Sequence, residues 1–233
     1  LIYIGSGTSG RLGVLDASEC PPTFGVSTDL VLGLISGGDK ALRESIENAE
    51  DSSQNSIQDL KKISLNQNDI LLGISASGTT PYVLSALTYA NKIGSLTGFL
   101  TCNDIKSLDY VDFLIKVLVG PEVLAGSTRL KSGTATKMVL NMISTTTMMK
   151  LNRTYGNVMI DLKPNNKKLV ERALNILSKE LNITTTESEK LYAKAKFDLK
   201  IAILMGKKKM TYGKANKIIL DNNGSLFNSL NEK

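Results

Sequence analysis

The stretch Leu1-Ile2-Tyr3-Ile4-Gly5-Ser6-Gly7-Thr8-Ser9-Gly10 predicts a short buried strand that ends in a tight turn at the start of a helix. A second stretch, Ile70-Leu71-Leu72-Gly73-Ile74-Ser75-Ala76-Ser77-Gly78-Thr79-Thr80-Pro81, repeats this arrangement. A strand that leads through such a turn into a helix presents unpaired backbone N–H groups, hydroxyl donors and the positive end of the helix dipole. Each turn is therefore a candidate phosphate-binding site.

The first turn also has the G-x-G-x-x-G spacing of dinucleotide-binding folds. Those folds need an acidic residue about 20 positions further on, at the end of the second strand, to bind a ribose hydroxyl. Here the next predicted strand, 30–35, is followed by Ser36-Gly37-Gly38-Asp39, and Glu19 precedes a Pro-Pro break instead of ending a strand. A dinucleotide site, a purely structural turn capped by Ser and Thr, and a site for a small phosphomonoester all remain open. The second, similar turn favours the phosphomonoester.

Length and composition indicate an ordinary α/β protein. The chain has 233 residues, of which 42% are hydrophobic and 21% charged. No apolar run is long enough to span a membrane, so we expect no membrane partner. Two cysteines, Cys20 and Cys102, are too few for a disulfide framework, and a cytoplasmic location is the default expectation. The chain begins on a strand without an initiator Met, which suggests a fragment.

The chain contains no histidine. This excludes Ser-His-Asp and Cys-His catalysis and any metal site built on His, so acid–base chemistry must come from Asp, Glu, Lys, Tyr or Cys. The net charge is +6, with many lysines after Pro164. Because that region lacks interleaved aromatic residues, we interpret it as a solvated face compatible with an anionic substrate, and not as a nucleic-acid surface.

Strand and helix patterns alternate through the first part of the chain, which predicts an α/β fold with a mainly parallel sheet and helices on both faces. The predicted strands are 1–4, 30–35, 70–74, 96–101 and 113–117, and the predicted helices are 9–17, 40–47, 52–63, 81–93 and 132–151. Only helical patterns follow, at 169–181, 187–205, 211–220 and 226–230, with Thr184, Thr185 or Thr186 capping the second of them. We therefore expect a sheet domain at 1–164 and a small helical domain at 165–233.

Several blocks carry a resemblance to known families. Ser75-x-Ser77-Gly78-x-Thr80 resembles the phosphate loop of sugar isomerase (SIS) domains, which bind phosphosugars on a flavodoxin-like three-layer sandwich. Longer blocks, in the right order over nearly the whole chain, resemble the N-acetylmuramic acid 6-phosphate etherases. These blocks are residues 7–23, Glu47-Asn48-Ala49-Glu50-Asp51, Gly120-Pro121-Glu122-Val123 and residues 126–135.

This resemblance implies a cofactor-free, metal-free lyase that acts on a phosphorylated amino sugar in cell-wall recycling, as a homodimer. Glu19 matches the family's general acid, which protonates the departing lactate oxygen and then activates the water that replaces lactate. Glu50 matches the second catalytic glutamate, a candidate for proton abstraction at C2 of the sugar. The implied substrate contacts are Thr8, Ser9, Ser75, Ser77, Thr80, Ser127, Thr128 and Lys131.

Two departures from the family pattern bear on activity. Thr79 stands where family members usually carry Arg, and the family's N-terminal helical segment is missing. Two other functions stay open: a non-catalytic sugar-phosphate sensor related to glucokinase regulatory proteins, and an aldose–ketose isomerase. The sensor relatives contain two SIS domains, whereas this chain shows one and no internal repeat. An SIS-type transcriptional regulator would need a helix-turn-helix segment, which is not visible.

Overall fold

The computed structural model describes residues 1–161 and 167–232. These residues form two compact units, one comprising Leu1–Glu19 and Ser27–Ser144, the other Cys20–Val26 and Thr145–Lys233. The domain boundary expected between 164 and 165 lies outside the described residues. Within the part of the chain that the structure covers, no helix is both long enough and apolar enough to cross a membrane.

The first unit is built on a five-stranded parallel sheet. Its strands are β1 (Ile2–Gly5), β2 (Leu32–Ile35), β3 (Ile70–Ile74), β4 (Leu96–Thr101) and β5 (Phe113–Lys116). The spatial order is β2-β1-β3-β4-β5, and all neighbouring pairs are parallel. This is the flavodoxin-like order, so the α/β prediction is confirmed. The strand order reverses between β1 and β3, where folds of this kind bind ligands beyond the carboxyl ends of the strands.

Side-chain alternation in β1 explains why helices cover both faces of the sheet. The helices are α1 (Gly7–Phe24), α2 (Ser53–Lys62), α3 (Pro81–Lys92) and α4 (Lys131–Lys150). Ile2 and Ile4 pack in a buried cluster with Leu60 of α2 and Tyr82 of α3. Tyr3 points to the opposite face, where its hydroxyl donates to the buried carboxylate of Asp16 in α1 at 3.0 Å.

The same carboxylate joins α1 to α4. Asn141 Nδ2 donates to Asp16 Oδ1 at 2.6 Å, and Ser144 Oγ donates to it at 3.2 Å. Because a buried carboxylate needs such donors, this network fixes the two helices against each other on that face of the sheet.

Two predicted helices of the first unit have wrong bounds. The helix expected at 9–17 starts at Gly7 and continues through Pro21 and Pro22 to Phe24. The prolines fall in the last turns, and the helix ends where Gly25, at φ +65°, donates its N–H to the Pro21 carbonyl at 2.9 Å. The helix expected at 40–47 is only a 3-10 turn at Asp39–Leu42.

The second unit is helical apart from one small hairpin. It contains β6 (Thr154–Tyr155), β7 (Val158–Met159), α5 (Lys167–Leu181), α6 (Thr185–Lys194), α7 (Leu199–Lys208), α8 (Tyr212–Asp221) and α9 (Leu226–Asn231). The hairpin was not predicted, because two-residue strands are too short to show alternation. Helix α7 contributes most to the buried core, with Leu199 and the run from Ile201 to Met205 inside it.

The amino end of α6 was predicted correctly, but its length was not. Thr184 caps α6 through a capping box with Glu187, one of the three alternatives expected. The single helix expected at 187–205 is wrong, because the chain breaks between α6 and α7. Lys196 and Phe197 adopt left-handed backbone angles, with φ 54° and 62°, and Asp198 then caps α7 by accepting from the Ile201 N–H.

Candidate active site

The second turn gathers three hydroxyl groups at the amino end of α3. Ser75 is buried, and its Oγ lies 2.8 Å from Thr80 Oγ1 and 3.2 Å from Ser77 Oγ. The N–H of Gly78 donates to Ser75 Oγ at 3.1 Å, which closes the turn. Thr80 is the N-cap residue of α3, but its side chain makes no capping bond. Pro81 has no N–H, and the N–H of Val83 already donates to the Thr80 carbonyl at 3.1 Å. The three hydroxyls and the positive end of the α3 dipole are therefore the features of this turn that suit a phosphate.

The first turn starts beside the second. Gly5, the last residue of β1, pairs with Ile74 of β3 and with Ile35 of β2, so the residues that follow these three strands are neighbours. Gly5 and Gly10 allow α1 to approach the sheet, because a Cβ on Gly10 would lie 2.7 Å from Gly5 O and 2.6 Å from Ile35 Cγ1. The glycines at both ends of the G-x-G-x-x-G pattern therefore serve helix–strand packing, and Ser36, not an acid, follows β2.

The start of α4 also reaches the first turn. A Cβ on Gly133 would lie 3.5 Å from Cγ2 of Thr8, so Thr8 packs against the first turn of α4. Ser9 and Thr8 are both partly exposed. Three more predicted contacts come from the segment that leads into α4, where Ser127 is partly exposed and Thr128 and Lys131 are exposed.

The amino end of α4 is already occupied by a carboxylate of this chain. Glu122 accepts from the N–H of Lys131 and of Ser132, each at 2.9 Å. These backbone N–H groups, that of Ser132 first, lower the pKa of Glu122 from its ordinary value. Lys131 Nζ donates to the carbonyl of Val119 at 2.8 Å, which holds the segment closed. The N–H groups that bind Glu122 are therefore not available to a substrate anion.

Glu50 lies in a 3-10 turn, Ala49–Asp51, and lines a cavity of about 190 Å³. Gly7 of the first turn and Ser36 line the same cavity, which places it at the carboxyl ends of β1 and β2. Asn48, just before the turn, has φ 59°, a left-handed conformation that Asn adopts more readily than most residues.

Contacts from α3 hold the segment that carries Glu50. Ser85 Oγ of α3 lies 3.1 Å from the carbonyl of Ser53, to which it donates, and 2.7 Å from Ser56 Oγ. Ser53 is the first residue of α2, three positions after Glu50. The amino end of α3, with its hydroxyl cluster, and the Glu50 turn are thus fixed to one another.

Arg11 is the cation that lines this cavity, and sequence reasoning did not select it. Its Nε donates to the carbonyl of Leu42 at 3.1 Å and its Nη2 to the carbonyl of Glu44 at 3.3 Å. These bonds to residues more than 30 positions away fix the guanidinium in the wall of the cavity that Glu50 also lines. The only sequence signal was its position inside the block at 7–23.

Glu19 does not share this cavity. Helix α1 runs back along the sheet, since Gly10 contacts Ile35 at the end of β2 and Val14 contacts Gly33 further toward its start. Glu19 lies 12 residues after Gly7 in α1, roughly 18 Å away at about 1.5 Å per residue. It is exposed and lines a separate cleft of about 200 Å³ between α1 and α4. Within one chain, the structure brings Glu50 to the phosphate turns and leaves Glu19 apart.

Comparisons with known proteins agree with this architecture. Residues 1–91 match the family model of the glucokinase regulatory protein N-terminal SIS domain. Over 233 residues the chain is 50% identical to a Clostridium botulinum (strain Langeland) protein, and over 235 residues it is 50% identical to one from Clostridium beijerinckii. Both relatives are named N-acetylmuramic acid 6-phosphate etherase, and in both cases the match covers 100% of this chain and 77% of the relative.

Proposed function

Because the chain belongs to the N-acetylmuramic acid 6-phosphate etherase family, we propose that it cleaves the D-lactyl ether of N-acetylmuramic acid 6-phosphate. The products are N-acetylglucosamine 6-phosphate and D-lactate, and the enzyme is a carbon–oxygen lyase of cell-wall amino-sugar recycling. The observation that carries this proposal is the position of Glu50, in a cavity shared with the first turn and next to the helix that carries the second.

The reaction needs two carboxyl groups with opposite starting roles. In the open-chain sugar, the C2 proton is alpha to the C1 aldehyde. Glu50 removes that proton, and the electron pair passes into the enolate. The enolate then expels the C3 oxygen, which takes a proton from Glu19 and leaves as D-lactate. Water adds to C3 of the unsaturated aldehyde after giving a proton to Glu19, and the protonated Glu50 returns a proton to C2.

The phosphate would bind at the second turn, with Ser75, Ser77 and Thr80 as its hydroxyl donors. Charge-assisted bonds of this kind are among the stronger interactions available to a polar ligand. Thr8 and Ser9 would contact the sugar phosphate from the first turn. Thr79, which donates from Oγ1 to Ser77 Oγ at 3.1 Å, supplies no positive charge where family members usually carry Arg. The helix dipole and hydroxyls therefore bear more of the phosphate binding in this chain.

Ser127, Thr128 and Lys131 complete the proposed set of contacts. The packing of Thr8 against Gly133 supports a place for this segment at the rim of the site. Since the Lys131 ammonium is bonded to the Val119 carbonyl, its contribution is long-range attraction for an anionic substrate unless that bond opens.

The separation of Glu19 from Glu50 supports a homodimer in which a second copy supplies Glu19 to the site. The two helices that form the cleft lined by Glu19 also carry exposed apolar side chains. Leu15 of α1 is 49% exposed, and Met138 and Met142, one turn apart on α4, are each 58% exposed. Large apolar side chains clustered at a surface mark interaction sites.

Because the substrate is an ionised phosphomonoester that does not cross membranes unaided, we also place the enzyme in the cytoplasm.

The direct test is D-lactate release from N-acetylmuramic acid 6-phosphate, measured by a coupled lactate assay. Glu50→Gln should abolish release, because the amide cannot take the C2 proton. Glu44→Gln is the matched control, since Glu44 lines the same cavity but forms an ion pair with Lys40 at 3.3 Å. Lactate release that survives Glu50→Gln would contradict the assignment of Glu50.

A non-catalytic sugar-phosphate sensor is the second candidate, favoured by the match of residues 1–91 to the glucokinase regulatory model. The same incubation separates the two functions. A sensor would bind N-acetylmuramic acid 6-phosphate without releasing lactate, and an isomerase would instead form a ketose from a hexosamine phosphate.

A further inference from the structure

The four α-helices of the first unit start near the carboxyl ends of its strands, and the amino end of α2 is capped by Ser52, which accepts from the Asn55 N–H at 3.3 Å. Helix α4 is closed by the Glu122 carboxylate. Helix α3 carries the hydroxyl turn proposed for the phosphate. Helix α1 lacks a side-chain cap, because the hydroxyl of Ser6, the residue before it, is buried and has no hydrogen-bond partner among the described residues. A substrate with two anionic groups would therefore meet two open helix ends.

Arg11 adds a fixed positive charge near the amino end of α1. Its bonds to the carbonyls of Leu42 and Glu44 use Nε and one hydrogen of Nη2, so Nη1 remains available as a donor. Although Glu44, Glu47 and Glu50 line the same cavity, Arg11 forms no ion pair with a carboxylate within the described ranges. The partly buried guanidinium is thus held in place without being neutralised.

We propose that Arg11 and the amino end of α1 bind the carboxylate of the lactyl group, so that Arg11 sets the preference for acid-bearing sugar ethers. This inference rests on the proposed function, because only the etherase substrate carries both a phosphate and that carboxylate. With the phosphate on the β3–α3 turn and the lactyl group on Arg11, the sugar lies across the neighbouring ends of β1 and β3. Its C2 and C3 atoms then approach Glu50, which lines the same cavity as Arg11.

The substrate class follows from the same contacts. Arginine binds carboxylates through two parallel N–H···O bonds, a geometry that a carboxamide or a hydroxyl cannot match. The cavity should therefore accept 3-O-carboxyalkyl ethers of hexosamine phosphates and discriminate against ethers without the acid.

The test compares wild type with Arg11→Gln and Arg11→Lys on three compounds. These are N-acetylmuramic acid 6-phosphate, its lactyl carboxamide, and N-acetylglucosamine 6-phosphate as a competitive inhibitor without a lactyl group. Wild type should prefer the acid over the amide by about 10- to 100-fold in kcat/KM, the usual range for one hydrogen-bonded charge pair. Arg11→Gln should lower kcat/KM for the acid to the level of the amide. Its kcat/KM for the amide and its inhibition by N-acetylglucosamine 6-phosphate should not change, and Arg11→Lys should fall between.

A purely structural role for Arg11 gives a different pattern. If Arg11 only anchors residues 42–44, Arg11→Gln will weaken inhibition by N-acetylglucosamine 6-phosphate and will reduce turnover of acid and amide by the same factor. Either result overturns the proposal while leaving the etherase function intact. Wild-type protein that binds N-acetylglucosamine 6-phosphate but releases lactate from neither ether would instead overturn the proposed function, and this inference with it.

Discussion

Gly78 holds the second turn, the proposed phosphate site, in a backbone conformation that other residues enter only with strain. Its φ is +79°, and an added Cβ would lie 2.9 Å from Ile105 Cγ2 and 3.1 Å from Thr101 Oγ1. Thr101 in turn donates from Oγ1 to the Ala76 carbonyl within the turn at 3.4 Å. A methyl group here would therefore disturb the hydroxyl cluster as well as the backbone.

We expect Gly78→Ala to raise KM for the sugar phosphate by about tenfold or more, the effect of losing one hydrogen bond to a charged group. Gly94→Ala is the matched control. Gly94 has a similar φ of +82°, but an added Cβ would meet only Gln67 Cβ, at 3.7 Å. Both variants should lose about 1–2 kcal/mol of stability from the left-handed conformation, measured by urea unfolding, but only Gly78→Ala should change KM. An equal KM effect in both would show that the turn is not the phosphate site.

At the level of elements, the capping of α4 by Glu122 makes part of the stability dependent on pH. The backbone N–H groups of Ser132 and Lys131 lower the pKa of Glu122 from 4.5. A carboxyl group whose pKa is lower in the folded state stabilises the fold above its ordinary pKa, and this contribution is lost as pH falls through the lowered value. The capping of α4 should therefore weaken as pH falls below about 4.5.

We expect Glu122→Gln to reduce the free energy of unfolding at pH 7 and to reduce it less at pH 3, because wild type loses the same contribution as pH falls through the lowered pKa of Glu122. Urea unfolding at both pH values measures this. Glu189→Gln, at an exposed position of α6, should show no such difference. A stability loss for Glu122→Gln that is as large at pH 3 as at pH 7 would rule out the charged cap.

Elements with a strong local pattern were predictable from the sequence. The apolar run at Ile70–Ile74 gave β3 with both ends correct, and Pro81 marked the start of α3. The same reasoning placed both turns, because strand, turn and helix are adjacent along the chain. It failed for 40–47, where the 3-10 turn at Asp39–Leu42 is followed by a segment held by Arg11.

Residues of the site that depend on distant contacts were not predictable in the same way. Arg11 reaches carbonyls 31 and 33 residues away, and Glu122 caps a helix 9 and 10 residues further on. No periodicity or local spacing contains such pairings, because they arise only when the sheet brings the loops together. Resemblance to the family predicts Glu19 and Glu50 as catalytic residues, but it could not reveal that they lie at different places on one chain.

At the scale of the whole molecule, the position of Glu19 bears on whether one chain or two build the proposed site. The amino end of α1 meets Glu50 at the carboxyl ends of the strands, and Glu19 lies roughly 18 Å further along the helix at about 1.5 Å per residue. One side chain does not bridge that distance to the same sugar carbon atoms. In the proposed two-fold dimer, each copy would offer its Glu19 to the site that contains the other copy's Glu50.

We therefore expect two inactive variants to complement each other. Glu19→Gln and Glu50→Gln should each release no D-lactate alone. Mixed under conditions of subunit exchange, they should recover about a quarter of wild-type activity, since half of the dimers are mixed and each of these has one complete site. Mixing Glu50→Gln with the double variant Glu19→Gln/Glu50→Gln is the control and should stay inactive. Size-exclusion chromatography with light scattering reports the dimer independently. A confirmed dimer with exchanged subunits and no recovered activity would mean that both glutamates act from one chain, and that α1 must move to bring Glu19 to the substrate.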